Sequence, residues 1–292
     1  MATTMTAQRM EMLPARRQAL WGWPAVVNFA LGGLGAGWYV VALLAAGFER
    51  SPGVIAASWA APVLVLAGFA AVAAEAGRPL RGPRVLARLR TSWMSRELLI
   101  GIAFILLVAA DLAFPLRLHR VQAMVAAILL ALAQGFIVRR ARGVTAWDVP
   151  IMPPLFLLSA LVSGAGAYLL VEIVTRRPPP PGLVGAVLAL IGVAFITWAR
   201  YLAWRSEDSY ARAVAPLREG RSVLVIDGAG YGLPLLCGLL ALAAPAAATP
   251  MLGLAGALLI TGQVYAKARL IRAAGQLRPI TLVIAPARRR PS

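Results

Sequence analysis

Four polar side chains stand at matching places in an otherwise apolar sequence. Asn28, Glu75, Glu97 and Gln134 each lie at or near one end of a different long apolar stretch. Two carboxylates and two carboxamides at one depth supply both hydrogen-bond acceptors and donors. That set suits a quinone head group, and a carboxyl group among apolar side chains can also pass a proton to or from it. The plainer alternative is that helix ends are polar where they meet water, with Glu75 and Glu97 paired to arginines such as Arg78 or Arg96. Asp227 and Tyr231, one helical turn apart, either line the same cavity or bond a neighbouring helix. Asp111 and Glu172 lie toward the other ends of their stretches. They either pair with Arg117 or Arg176 or form a proton exit.

Metal chemistry has few ligands to draw on. A single cysteine, Cys237, cannot make an intrachain disulfide or a cysteine-ligated cluster. A single histidine, His119, cannot give two axial ligands to a haem, and a Cys/His zinc site is equally out of reach. The expectation is therefore a chain without haem or metal, with any redox metal in a partner. Cys237 reads as a small core residue and His119 as an interfacial loop residue.

These groups must be positioned by membrane helices. Of 292 residues, 60% are hydrophobic and 14% charged, and the mean hydropathy is +0.77. A soluble domain is about 45–50% apolar and about 25% charged, so a soluble globular fold is excluded. The net charge of +18 does not point to nucleic acid, because the arginines lie between apolar stretches and there report topology. Eight spans of about 20 residues are expected, near 25–47, 54–76, 98–116, 121–138, 149–174, 182–199, 223–248 and 251–266. The fold class is an all-α integral membrane protein, with a plausible arrangement of two four-helix bundles and a single polytopic domain over 1–292. Residues 1–23 are polar and basic, without the apolar core and cleavage site of a signal peptide.

Basic residues divide 24 to 5 between the two sides of these spans, the richer side holding both termini. The positive-inside rule puts that side in the cytoplasm, so a multi-pass inner-membrane protein with both termini cytoplasmic is expected. Trp21, Trp23, Trp93, Trp147 and Trp204 fall near the basic edges, as an interfacial belt does. The Arg-rich segment 77–96 reads as topology control with attraction to anionic lipids, and also as a docking surface carrying Arg84 and Arg88.

Small residues mark helix contacts. Gly33 and Gly37 in the first span, and Gly228 and Gly232 in the seventh, have GxxxG spacing. No strand precedes the run GGLGAG, so a phosphate loop is not expected there. The intramembrane carboxylates and glycine-rich spans also admit a secondary transporter, though transporters place their sites near the bilayer midplane.

Several of these runs resemble a known family. Glu75-Ala-Gly-Arg-Pro-Leu-Arg followed by Thr91-Ser-Trp-Met-Ser-Arg-Glu97 resembles the NrfD-like membrane subunits, most closely the dimethyl sulfoxide reductase-type anchor branch. The first span from Asn28 to Gly37, and Gln134 followed by Arg139, Arg140 and Trp147, are similar to that family as well. The resemblance runs through the first four or five spans. It implies an eight-helix subunit without haem that binds exchangeable quinone where an iron–sulfur subunit docks, in electron exchange with a molybdopterin catalytic subunit. It implies a quinone-site role for Glu97, with Glu75 at a position where many relatives carry histidine. Asn28 and Gln134 match by placement. Because the Glu97 edge is the Arg-rich one, the partner is expected in the cytosol, which resembles the branch that oxidises phenylacetyl-coenzyme A.

Overall fold

The computed structural model describes residues 8–75, 88–177 and 179–284. Its long elements are α1 (Trp23–Ala45), α2 (Pro52–Glu75), α3 (Trp93–Ala113), α4 (Arg117–Arg140), α5 (Met152–Val174) and α6 (Pro181–Leu202). A short amphipathic helix α7 (Asp208–Arg218) follows. Next comes one continuous rod made of α8 (Arg221–Val223), a π-helical segment (Leu224–Gly232) and α9 (Leu233–Ala243). After a 3₁₀ turn at Pro245–Ala247 the last helix is α10 (Ala248–Arg272). Seven of these helices, all the long ones except α3, are long and apolar enough to cross a membrane.

Start signals account for most boundaries. Proline opens α2 and α6 and stands in the first turn of α1 and α5, where its missing N–H costs nothing. Ser92 caps α3, its hydroxyl accepting from the Ser95 amide at 3.4 Å. That cap sets the start of α3 earlier than the expected span near 98, so Glu97 lies inside the helix rather than at its mouth. The rod around the π segment begins at Arg221 and closes at Ala243, and α10 extends to Arg272, beyond the expected 266.

Close glycine contacts set the helix packing. A β-carbon on Gly37 would run into the Ala160 carbonyl, and one on Gly164 into the Gly37 backbone, so α1 and α5 cross backbone to backbone. Gly166 meets Gly256 in the same way between α5 and α10, and Gly230 meets Gly262 between the π segment and α10. The expected GxxxG seat in the seventh span is corrected by this geometry. Gly228 has nothing within 4 Å, and Gly230 makes the contact instead. The π turn rotates the helix face, so spacing alone misplaces the contact.

Three segments are knotted together at one end of the bundle. The Gln18 amide donates to the Gly275 carbonyl at 2.8 Å, Leu277 to Arg16 at 2.7 Å, and Arg278 to Gly143 at 2.7 Å. Beyond them β1 (Gln8–Leu13) pairs antiparallel with β2 (Ile280–Ile284). Trp147 packs into this plug, stacked on Trp21 at 5.0 Å, with its indole N–H donating to the Leu270 carbonyl. Trp147 is fully buried, so it is not part of an interfacial belt.

At the opposite end Asp111 pairs with Arg120 rather than Arg117, at 3.1 Å with both buried. The Arg120 guanidinium also holds the Phe48 carbonyl in the α1–α2 turn. Glu172 is buried facing Tyr168 and Gly53 rather than bonded to Arg176. His119 is in the first turn of α4, its ring nitrogen 3.0 Å from the Phe114 carbonyl, and Cys237 is a buried core residue.

Candidate functional site

Three of the four polar residues singled out in the sequence meet. Asn28 lies in the second turn of α1, Glu97 in the second turn of α3, and Gln134 near the end of α4. All three are at most 5% exposed. The Asn28 amide donates to Glu97 Oε1 at 3.0 Å, and the Gln134 amide donates to the same oxygen at 3.2 Å. Gln134 Nε2 also reaches the Asn28 carbonyl at 3.3 Å. Two carboxamides therefore converge on one carboxylate oxygen, which suits a buried acidic group.

The surrounding helices make this possible locally. Trp93 stacks on Phe136 at 4.2 Å and pins the start of α3 to the end of α4. The Arg96 guanidinium lies over the Trp93 ring and donates to the Leu89 and Arg90 carbonyls. It turns away from Glu97, so the Arg96–Glu97 ion pair expected as an alternative is not formed. Gly68 of α2 leaves room for Asn28, whose Oδ1 lies 3.0 Å from where a β-carbon would be. Gly32 does the same for the Gln134 amide.

Glu75 stands apart. It ends α2, is exposed, and its carboxylate lies against Gly22 in front of α1 rather than among the buried three. Arg78 and Arg84 fall outside the described residues, and Arg88 is exposed just before α3. Asp227 and Tyr231 separate in role. The Asp227 carboxylate accepts the Trp198 indole N–H at 3.0 Å, and Tyr231 is buried in a cavity wall.

One residue escaped the sequence reading. Lys267 of α10 is 4% exposed and makes no ion pair or hydrogen bond among the described residues. Its ammonium nitrogen lies 2.8 Å from the point a β-carbon on Gly33 would occupy, and Gln134 Oε1 lies 3.5 Å from that same point. The GGLGAG run is thus a notch for polar heads at Gly32 and Gly33 and a helix crossing at Gly37. The signal available in the sequence was the chain's single lysine, one residue past the expected end of the last span and counted there among the basic residues that follow it.

Lys267 also borders a cavity of about 20 Å³ with Phe156, Ser159, Trp198, Tyr231 and Gln263 on its walls. Ser159 Oγ is buried there without a hydrogen-bond partner, as is Asn28 Oδ1 in the cluster. Among the described residues no group of three or more His, Cys, Asp or Glu side chains is placed to hold a metal ion.

Residues 12–279 match the family model described as polysulphide reductase, NrfD. The chain belongs to the NrfD family. NrfD proteins are membrane subunits of polysulfide and molybdoenzyme reductase complexes, and the seven apolar helices make this member a multi-pass membrane protein. No curated protein matches the chain. The NrfD match covers the spans on both sides of the α1–α5 crossing, including Asn28, Glu97, Gln134 and Lys267.

Proposed function

We propose that this NrfD subunit anchors a cytosolic oxidoreductase to the inner membrane and exchanges electrons between a docked iron–sulfur subunit and membrane quinone. The observation that carries the reading is the buried convergence of Asn28 and Gln134 on Glu97. The bonded oxygen is Oε1, which leaves Oε2 to accept from a quinol hydroxyl, and the unpartnered Asn28 Oδ1 is a second acceptor. Quinone supplies reversible two-electron, two-proton chemistry when bound. Glu97 is the group that holds or releases a proton at the head-group oxygen, and Asn28 and Gln134 orient its carboxylate.

The topology is read as eight crossings, with α3 as the eighth. At 21 residues, α3 reaches about 30 Å, the thickness of the hydrocarbon core. The knot of N-terminal segment, α4–α5 loop and C-terminal tail supports an even count. With α1, α2 and α4 crossing and α3 not, that loop would emerge on the side away from the N-terminus. A four-plus-four arrangement then meets at the α1–α5 seam. The arginine bias supports a cytoplasmic location for the knotted end and for Glu97, and so a cytosolic partner. A molybdopterin subunit on that side meets intracellular substrates, of which the phenylacetyl-coenzyme A thioester is one. Arg84 and Arg88 form the docking surface, and Glu75, exposed at the same edge, contributes proton exchange with the cytosol.

The test is Glu97→Gln in the intact complex. Quinone-linked turnover is expected to fall at least about a hundredfold, the usual worth of a positioned acid–base group, while the subunits still co-purify. Undiminished turnover would remove Glu97 from the site.

A further inference from the structure

Glu97 and Lys267 are both buried, and among the described residues neither has an ion-pair partner of opposite charge. An isolated charge in an apolar interior is costly, so such groups either neutralise or find a counter-charge. The side chain between them is Gln134. Its amide N–H₂ faces Glu97 at 3.2 Å, and its carbonyl faces the Gly33 notch that also receives the Lys267 ammonium. A carboxamide donates at one end and accepts at the other, which is the polarity needed to bridge a carboxylate to an ammonium. The Lys267 ammonium and Gln134 Oε1 share that notch, 2.8 Å and 3.5 Å from the same point above Gly33.

We infer that Lys267 is the electrostatic partner of Glu97, coupled to it across Gln134, so that a proton leaving the Glu97 carboxyl group is held by the lysine. The exchange is carboxylic acid plus amine to carboxylate plus ammonium, and needs no other reactant. The two forms carry the same net charge, so the apolar interior never holds an unbalanced ion. This deepens the proposed function, since it gives the quinone-facing carboxyl group an internal proton acceptor on α10.

The other groups around Lys267 do not supply this counter-charge. From α1 the neighbour is Gly33, from α5 Phe156 and Ser159, and from α6 Trp198. The π segment presents Tyr231, and α10 itself presents Gln263. Asp227 is occupied with the Trp198 indole. The ammonium lies 6.0 Å from the centre of the Phe156 ring, a contact that contributes little beside a full charge. Asn28 and Gln134 face Glu97 as neutral donors.

The experiment is infrared spectroscopy of the full chain in its complex, reading the stretching band of the protonated carboxyl group that Glu97→Gln removes. Lys267→Met is expected to enlarge that band near neutral pH, with a change of about tenfold in the protonated-to-ionised ratio for a strongly coupled pair. Gly33→Ala keeps every charge but pushes the flexible lysine head out of the notch, and is expected to change the band in the same direction by less. If Lys267→Met does not assemble, Gly33→Ala decides alone. A Glu97 band unchanged in the variants that assemble overturns the coupling. Absence of quinone binding by the unaltered complex, with the band still responsive to Lys267, would overturn the proposed function and leave the coupling standing.

Discussion

The Asn28 carboxamide on α1 donates to the Glu97 carboxylate on α3 across 3.0 Å, joining two helices separated by the whole of α2. A hydrogen bond to a charged group inside an apolar bundle contributes about 1.5–3 kcal/mol. Replacing Asn28 with Leu removes this donor, leaves the Gln134 amide donating to Glu97, and puts a methyl group in place of Oδ1 beside Gly68. The expected result is a fall in quinone-linked turnover with the anchor still inserted. Steady-state turnover and membrane yield, measured together, check it.

The α1–α5 crossing is intolerant of bulk. Gly37→Ala drives a methyl group into the Ala160 carbonyl, where backbone must move, so a loss of several kcal/mol and poor accumulation are expected. Gly228→Ala meets open space and should stay within about 0.5 kcal/mol of the parent chain. Thermal aggregation of the two variants in detergent separates the packed GxxxG glycine from the free one.

The Asp111–Arg120 pair clamps the end opposite the Glu97 cluster. Asp111→Asn or Arg120→Leu alone strands a buried partner, and a cost of about 3–5 kcal/mol is expected. The double change Asp111→Leu with Arg120→Leu should recover much of that loss, because no unpaired charge remains. Equal destabilisation by single and double variants would show that the ion pair is not the reason for the loss.

Partner docking is tested by charge. Reversal of Arg84 and Arg88 to glutamate is expected to release an acidic iron–sulfur partner in a pull-down, with the anchor still in the membrane. Raising the salt concentration should weaken the unaltered complex in the same direction. Co-purification that survives both changes would leave the arginines to topology and lipid contact.

Much of the architecture was legible along the chain. Hydropathy marked the long helices to within about two turns, because burial in lipid demands about 20 consecutive apolar residues, whatever the neighbours. The start of α3 lies ahead of its apolar run because the Ser92 cap and the Trp93–Phe136 stack begin the helix on polar residues. The segment carrying α7 gave no apolar run to find, since only Tyr210, Ala213, Val214 and Leu217 face inward. In the seventh span the π turn moved the packing glycine from Gly228 to Gly230, a rotation that even spacing does not reveal.

For the site, the sequence by itself determined depth. A residue's position along an apolar span sets its distance from the membrane surface at about 1.5 Å per residue, which placed Asn28, Glu75, Glu97 and Gln134 toward one end. Which of them touch was decided by the tertiary structure alone. Contact depends on the azimuth of each helix and on which helices are neighbours, and these follow from backbone crossings such as Gly37 with Gly164. Those crossings turn Glu97 and Gln134 inward, leave Glu75 outside, and bring Lys267 from the far end of the chain into the notch at Gly33.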